Sequence, residues 1–362
     1  MFTQTLLFDV KFLKHYIYER INMERSKKFL TLASVLAAFS VIVMHTNEVF
    51  WSFSTEHYWI TANIIDGVFY FAVPVFFMIT GTTLLDYSER YNTAVFLRKR
   101  IIKTFIPFVV WSIIGIVYFI LTNRIELNQL SLKFIIKSIT DCYPINIFWF
   151  FQPLFCVYLA ISLFAAVNNK KTTYTYVAAV GLVINLFIPF VINVFKIDYS
   201  FPISVSVGSG YLFYVVVGWL IANTDIKIIY RIIIYIFSII GLFIQIIETY
   251  GASVKKLSIK KTYKGYNNIP AVLYSIGVFV FIKYFSEIIK NKTIWDIVKF
   301  LGKFTFCTYL LQWFIMDYVK TPFSINVYSM WYRLGFPIIV YMTVIVVVGI
   351  LRVIPVVKRI VP

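Results

Sequence analysis

Charge is scarce in this sequence. Asp, Glu, Lys and Arg together make up 14% of 362 residues, against about 25% in an ordinary soluble domain. Apolar residues reach 60% and aromatics 20%. A soluble fold of this length has too little interior to hide that much apolar surface, which points to lipid as the solvent. Cysteine and histidine are scarcer still, at three each. Cys142, Cys156 and Cys307 lack the paired spacing of a metal site, and three cysteines do not make a disulfide framework, so no metal is expected. Internal repeats, low-complexity tracts and a second polar domain are missing as well.

Acidic residues number 16 against 34 basic ones, a net charge of +18. In a soluble chain that excess would suggest nucleic acid. Here the basic residues punctuate long apolar runs, so membrane topology and anionic lipid headgroups account for them and no nucleic-acid partner is expected. Hydropathy predicts an all-α, polytopic transmembrane bundle of about ten spans. They lie near 28–46, 63–85, 101–122, 146–167, 172–195, 208–223, 227–247, 267–289, 298–319 and 334–357. Most Lys and Arg fall on one side when both termini are cytoplasmic. One segment resists, "SVKKLSIKKTYKGY" (253–266), whose five lysines then fall outside. It is either an outer basic patch suited to an acidic glycan or the sign of a miscounted span. Residues 1–27 read as a basic, amphipathic cytoplasmic lead with no cleavable signal peptide; Met23 is an alternative start. Residues 28–362 form the membrane domain.

Ionisable groups inside such a bundle are where chemistry is expected. His45 ends the first span in "VIVMHT". In the inferred orientation it lies near the outer surface, level with Asp66 of the second span and Asp317 of the ninth. An imidazole there can act as a general base, with Glu48 (on the same face if the helix continues) or Asp66 orienting the ring. A plain interfacial histidine bonded to water or backbone is the simpler alternative. Arg98, Lys99, Arg100 and Lys103 form a basic cluster before Pro107. Positive-inside anchoring explains it, and so does a grip on phosphates. Trp149, Phe150 and Phe151 read as an aromatic interface belt or as rings for stacking on a sugar. Pro74 predicts a kink in the second span, with Thr80, Thr82 and Thr83 satisfying freed backbone groups. Asp86 and Glu89 read as solvated.

Several stretches together resemble acyltransferase family 3, which includes O-acetyltransferases of bacterial surface polysaccharides. They are the helix ending in "VIVMHT", "YFAVPVFFMITGTTLLDY" (70–87), "FLRKRIIKTFIPFVVWS" (96–112), "IFWFFQPLFCVYL" (147–159) and "LGKFTFCTYLLQWF" (301–314). In order, they span nearly all of residues 30–357. The resemblance implies a multi-pass protein of a bacterial cytoplasmic membrane. It would move an acyl group, expected to be acetyl, from acyl-coenzyme A to a hydroxyl of a surface glycan or its lipid-linked precursor. His45 would be the base, Glu48 and Asp66 its supports, Arg98, Arg100 and Lys103 the donor grip, and Trp149 and Asp317 acceptor contacts. Three positions depart from the family pattern. Ser34 stands where many members have an arginine, and Cys307 and Gln312 stand where many have glycine and histidine. A glycan or lipid-linked-sugar exporter and an acyltransferase with a non-sugar acceptor are the competing expectations.

Overall fold

In a computed structural model the described residues are 25–361, apart from 324, 356, 358 and 359. Residues 1–24, with most of the expected basic lead and the alternative start at Met23, lie outside them. The protein is all-helical. Among the described residues eight helices are long and apolar enough to cross a membrane. They are α1 (Arg25–Thr46), the broken span His57–Glu89 holding α2 (His57–Phe69) and α3 (Ala72–Leu84), α4 (Thr93–Leu121), α6 (Asn146–Phe164), α7 (Lys170–Val194), α9 (Ile228–Lys256), α10 (Ile269–Ile288) and α13 (Trp331–Leu351). Between α4 and α6 runs the short α5 (Leu132–Thr140). Helix α8 (Gly210–Ala222) is apolar but only 13 residues long, about 20 Å. The expected ninth span, 298–319, is divided between α11 (Lys292–Gly302) and α12 (Thr305–Phe323), with a turn at Lys303 and Phe304. Hydropathy alone does not register that turn, because its neighbours on both sides are apolar.

The bundle buries its least greasy stripes. Along α9 the buried residues are Ser238, Gly241, Gln245, Thr249 and Ser253, one face at helical spacing, while Ile232, Ile236, Phe243 and Ile247 are exposed. In lipid the apolar side chains gain nothing by leaving the surface, so small residues and hydrogen bonds drive contact instead. Gln245 donates to the Gly67 carbonyl at 2.8 Å and Asn63 to the Ile246 carbonyl at 2.8 Å, tying α9 to α2. Helices α1, α2–α3 and α10 are the most enclosed; α7 is the least.

The second span breaks where its proline dictates. Pro74 has no N–H to offer the carbonyl of Tyr70, four residues back, and the break falls at Tyr70 and Phe71. The break sets Tyr70 and Val73 on a cavity wall. Below it, Thr80, Thr82 and Thr83 each donate to the carbonyl four residues earlier, at 2.8–2.9 Å. Asp86 and Glu89 are not simply solvated, as the sequence suggested. Both accept from Lys170, at 2.7 and 2.9 Å, and Asp86 also accepts from the Trp219 indole.

Helix α8 meets α3 backbone to backbone. A Cβ on Gly81 would stand 1.8 Å from the Val215 carbonyl oxygen, and one on Gly218 would stand 2.3 Å from that of Met78. Thr82 crosses the same seam to the Gly218 carbonyl at 3.0 Å. No rotamer relieves a clash with backbone, so Gly81→Val and Gly218→Val are each expected to cost about 1–3 kcal/mol or more. Thermal unfolding of the detergent-solubilised protein should show a lowered midpoint for both, with Gly251→Ala, where nothing lies near the added Cβ, close to wild type.

Candidate functional site

Helix α1 stops at Thr46, one residue past His45, and the stop is built from side chains. The Thr46 hydroxyl lies within hydrogen-bonding distance of the Ile42, Val43 and Arg333 carbonyls, and the Asn47 amide donates to the Ala62 carbonyl at 2.8 Å. Thr46 and Asn47 are fully buried. The corner is therefore fixed, and it holds His45 on the wall of a cavity of about 800 Å³. Among the described residues no protein group hydrogen-bonds to the ring. A plain interfacial role would leave the ring on an open surface; instead it borders a concave volume large enough for a ligand.

The cavity is deep. On α12 its lining residues are Tyr309, Trp313, Met316, Asp317 and Lys320, one helical face running for about 16 Å along the axis. Phe76 and Phe150 contribute at the deep end, while Glu48, Trp51 and Lys261 follow the ends of α1 and α9 at the other. Trp149 and Phe150 thus face the interior and Phe151 is fully buried. They are no interface belt, because Trp149 stacks on Tyr266 and Phe150 packs against Phe77 and Tyr309.

The expected supporting carboxylates go to other partners. Glu48 lies beyond the end of α1, in the short turn Glu48–Trp51, and does not share the His45 face; it pairs with Lys320. Asp66 lies at the expected end of the bundle but does not line the cavity. It pairs with Lys264, both side chains 1% exposed, and Lys264 also sits 4.0 Å from the centre of the Phe50 ring. Burial pulls the Lys264 ammonium below its usual range, and the Asp66 carboxylate opposes that. Asp317 does line the cavity. Arg124 holds it in a two-pronged pair at 3.0 and 2.8 Å, and the Tyr118 hydroxyl donates to it at 2.8 Å. The carboxylate keeps the Arg124 guanidinium above its ordinary pKa.

Arg98, Arg100 and Lys103 lie apart from this volume. None lines the cavity. They sit on the first half of α4, toward the bundle end where α1 begins. Arg100 rests 5.7 Å from the Phe96 ring and 5.6 Å from Tyr158, with its Nε buried and unpartnered. A wider, π-type turn at Ile101–Phe105 follows it, where Pro107 cannot continue the regular bonding pattern. From Tyr158 to Phe150 on the cavity wall is about 12 Å of helix. That interval is filled by aromatic rings in tilted and edge-to-face contact: Phe155 with Tyr158 at 6.5 Å, Phe108 with Phe155 at 5.5 Å, and Phe108 with Phe151 at 4.9 Å.

The chain matches the family model described as an acyltransferase domain over residues 28–352. It belongs to that family. No curated protein and no solved structure matches it. The chain is thus a multi-pass membrane acyltransferase. Two of the positions that depart from the family pattern lie outside the cavity lining. Ser34 donates to the Thr31 carbonyl of its own helix at 2.9 Å and supplies no cation. Gln312 is fully buried with neither end of its amide partnered among the described residues, and it lies outside the cavity lining. Lys320 and Tyr309 join the site without having been singled out in the sequence, and Lys261 comes from the basic segment 253–266, which the sequence left as an outer patch or a miscounted span. For Tyr309 and Lys320 a signal existed: with Trp313, Met316 and Asp317 they repeat at helical spacing.

Removing one partner of a buried pair leaves an uncompensated charge, which costs about 3–5 kcal/mol. Asp66→Asn is therefore expected to destabilise the acyltransferase severely, and Asp66→Asn with Lys264→Met to recover most of the loss. Unfolding midpoints of the single and double variants check this; equal midpoints for wild type and Asp66→Asn would contradict the pairing.

Proposed function

We propose that the protein is an O-acetyltransferase of a bacterial cytoplasmic membrane, moving acetyl from acetyl-coenzyme A to a hydroxyl of a surface glycan or its lipid-linked precursor. The observation that carries this is His45 on the wall of a deep, aromatic-rich cavity, with no protein partner for its ring among the described residues. The acceptor hydroxyl gives its proton to His45 as the oxygen attacks the thioester carbonyl. A tetrahedral intermediate forms; it collapses with cleavage of the carbon–sulfur bond, and the imidazolium returns the proton to the departing thiolate. General-base help of this kind is worth about 10²–10⁴-fold. Trp149 and Asp317 are the acceptor's contacts on the same wall.

The donor enters from the opposite end, where Arg98, Arg100 and Lys103 meet the coenzyme's phosphates. Its acyl arm then takes the path now filled by Phe155, Phe108 and Phe151, whose rings swing aside on binding. The unpartnered Nε of Arg100 supports this assignment, because a buried guanidinium nitrogen without a partner is costly unless a ligand completes it.

His45→Ala is expected to lower coenzyme A release in the presence of acetyl-coenzyme A and glycan by about 10² or more, with membrane insertion and unfolding midpoint preserved. Wild-type turnover in that variant would remove the base from the scheme, and glycan transport without thiol release would favour an exporter instead. Arg100→Gln is expected to raise the KM for acetyl-coenzyme A by about tenfold with little change in kcat. An unchanged KM in steady-state assays would place the donor elsewhere.

A further inference from the structure

The charged groups that line the cavity fall into two sets. Glu48 and Lys320 neutralise each other, and Asp317 is neutralised by Arg124. Lys261 has no carboxylate partner among the described residues. Its ammonium lies 4.4 Å from the centre of the Trp51 ring, and both residues line the cavity. A cation held against a ring face is oriented without being neutralised.

The segment that carries Lys261 is fixed. It runs between α9 and α10, and its anchor is Lys264, bound to Asp66 of α2. The Ser253 hydroxyl accepts from the Lys260 amide at 2.9 Å, and the Asn268 side chain donates to the Lys261 carbonyl at 3.1 Å. Tyr266 adds its ring to the cavity wall, stacked at 4.5 Å on Tyr70 and at 6.0 Å on Trp149. Lys255 and Lys256 stand exposed at the end of α9, where they raise the positive potential around the same end of the bundle.

We propose that this cavity selects an anionic acceptor: a saccharide carrying a carboxylate or phosphate, whose charge is paired by Lys261 while its ring lies along Trp149 and Tyr266. The inference rests on the acyl-transfer reading of the same cavity and adds the class of acceptor to it. Lys261 is a specificity residue here and takes no part in the proton transfer. The anchored turn explains why the lysine-rich segment reaches the cavity that His45 borders and is not a remote loop: the ion pair of Lys264 with Asp66 positions Lys261.

The test is equilibrium binding to the purified full chain, read by fluorescence of the tryptophans that line the cavity. Three probes are compared: a hexuronic acid trisaccharide, its carboxyl-reduced counterpart, and a phosphorylated trisaccharide of the same neutral sugar. Wild type is expected to bind at least one charged probe about tenfold more tightly than the reduced one, and which one identifies carboxylate or phosphate as the group read. Lys261→Gln should erase that preference without weakening the reduced probe, and Lys261→Arg should restore it. Equal binding of charged and neutral probes by wild type, no saturable binding of either charged probe, or a preference that survives Lys261→Gln would overturn the proposal. Assaying acetyl transfer on the same preparations keeps the two claims apart. Charge preference in a wild-type protein that transfers no acetyl would sink the acetyl-transfer reading and leave charge selection standing; acetyl transfer without charge preference would do the reverse.

Discussion

Inside a bundle surrounded by lipid, a polar group has only the protein to bond with, and that constraint arranges everything else in this molecule. Asp66 takes Lys264, Asp86 takes Lys170, Glu48 takes Lys320 and Asp317 takes Arg124. Threonines return their hydroxyls to their own helices, and α9 turns its serines, glycine and glutamine inward. Three of the groups left incompletely paired bear on the proposed function. Among the described residues His45 is left without a protein partner on a cavity wall, Arg100 keeps a buried nitrogen unbonded, and Lys261 has no carboxylate partner.

These three groups are spread along the bundle in an order that suits a reaction between two compartments. Arg100 is at the end where α1 begins, His45 is near the end where α1 stops, and Lys261 is beyond it in the turn after α9. A column of phenylalanine rings separates the first from the other two. Such a column is compatible with a barrier that keeps the two ends of the protein apart when no donor is bound. Aromatic rings suit that role because they pack closely yet pivot about two side-chain bonds.

Much of the fold was legible because a membrane helix announces itself by length and apolarity alone. The first, third and fourth spans lie close to where hydropathy put them. The ninth does not, since one lysine in the turn at Lys303 and Phe304, flanked by apolar residues, leaves the hydropathy run intact. The site was legible in part. His45 stood out as one of three histidines, and it does border a cavity. Asp66 was placed at the right end of the bundle, but its partner comes from a loop almost two hundred residues later, and no local pattern foretells that contact. Glu48 was expected to share the His45 face only if the helix continued, and it stops two residues earlier, because Thr46 and Asn47 bond across to Arg333 and Ala62. Trp149 has the composition of an interface residue, and only its stacking on Tyr266 shows otherwise.

The central claim is that one imidazole receives a proton between a donor entering from one end and an acceptor from the other. A structure of the protein with a non-hydrolysable acetyl-coenzyme A analogue tests it most directly. The account predicts phosphates at Arg100, displaced rings at Phe155 and Phe108, and the acyl carbonyl in the cavity, about 3–3.5 Å from where a hydroxyl bonded to His45 would stand. An acyl group bound outside the cavity, with those rings unmoved, would contradict it.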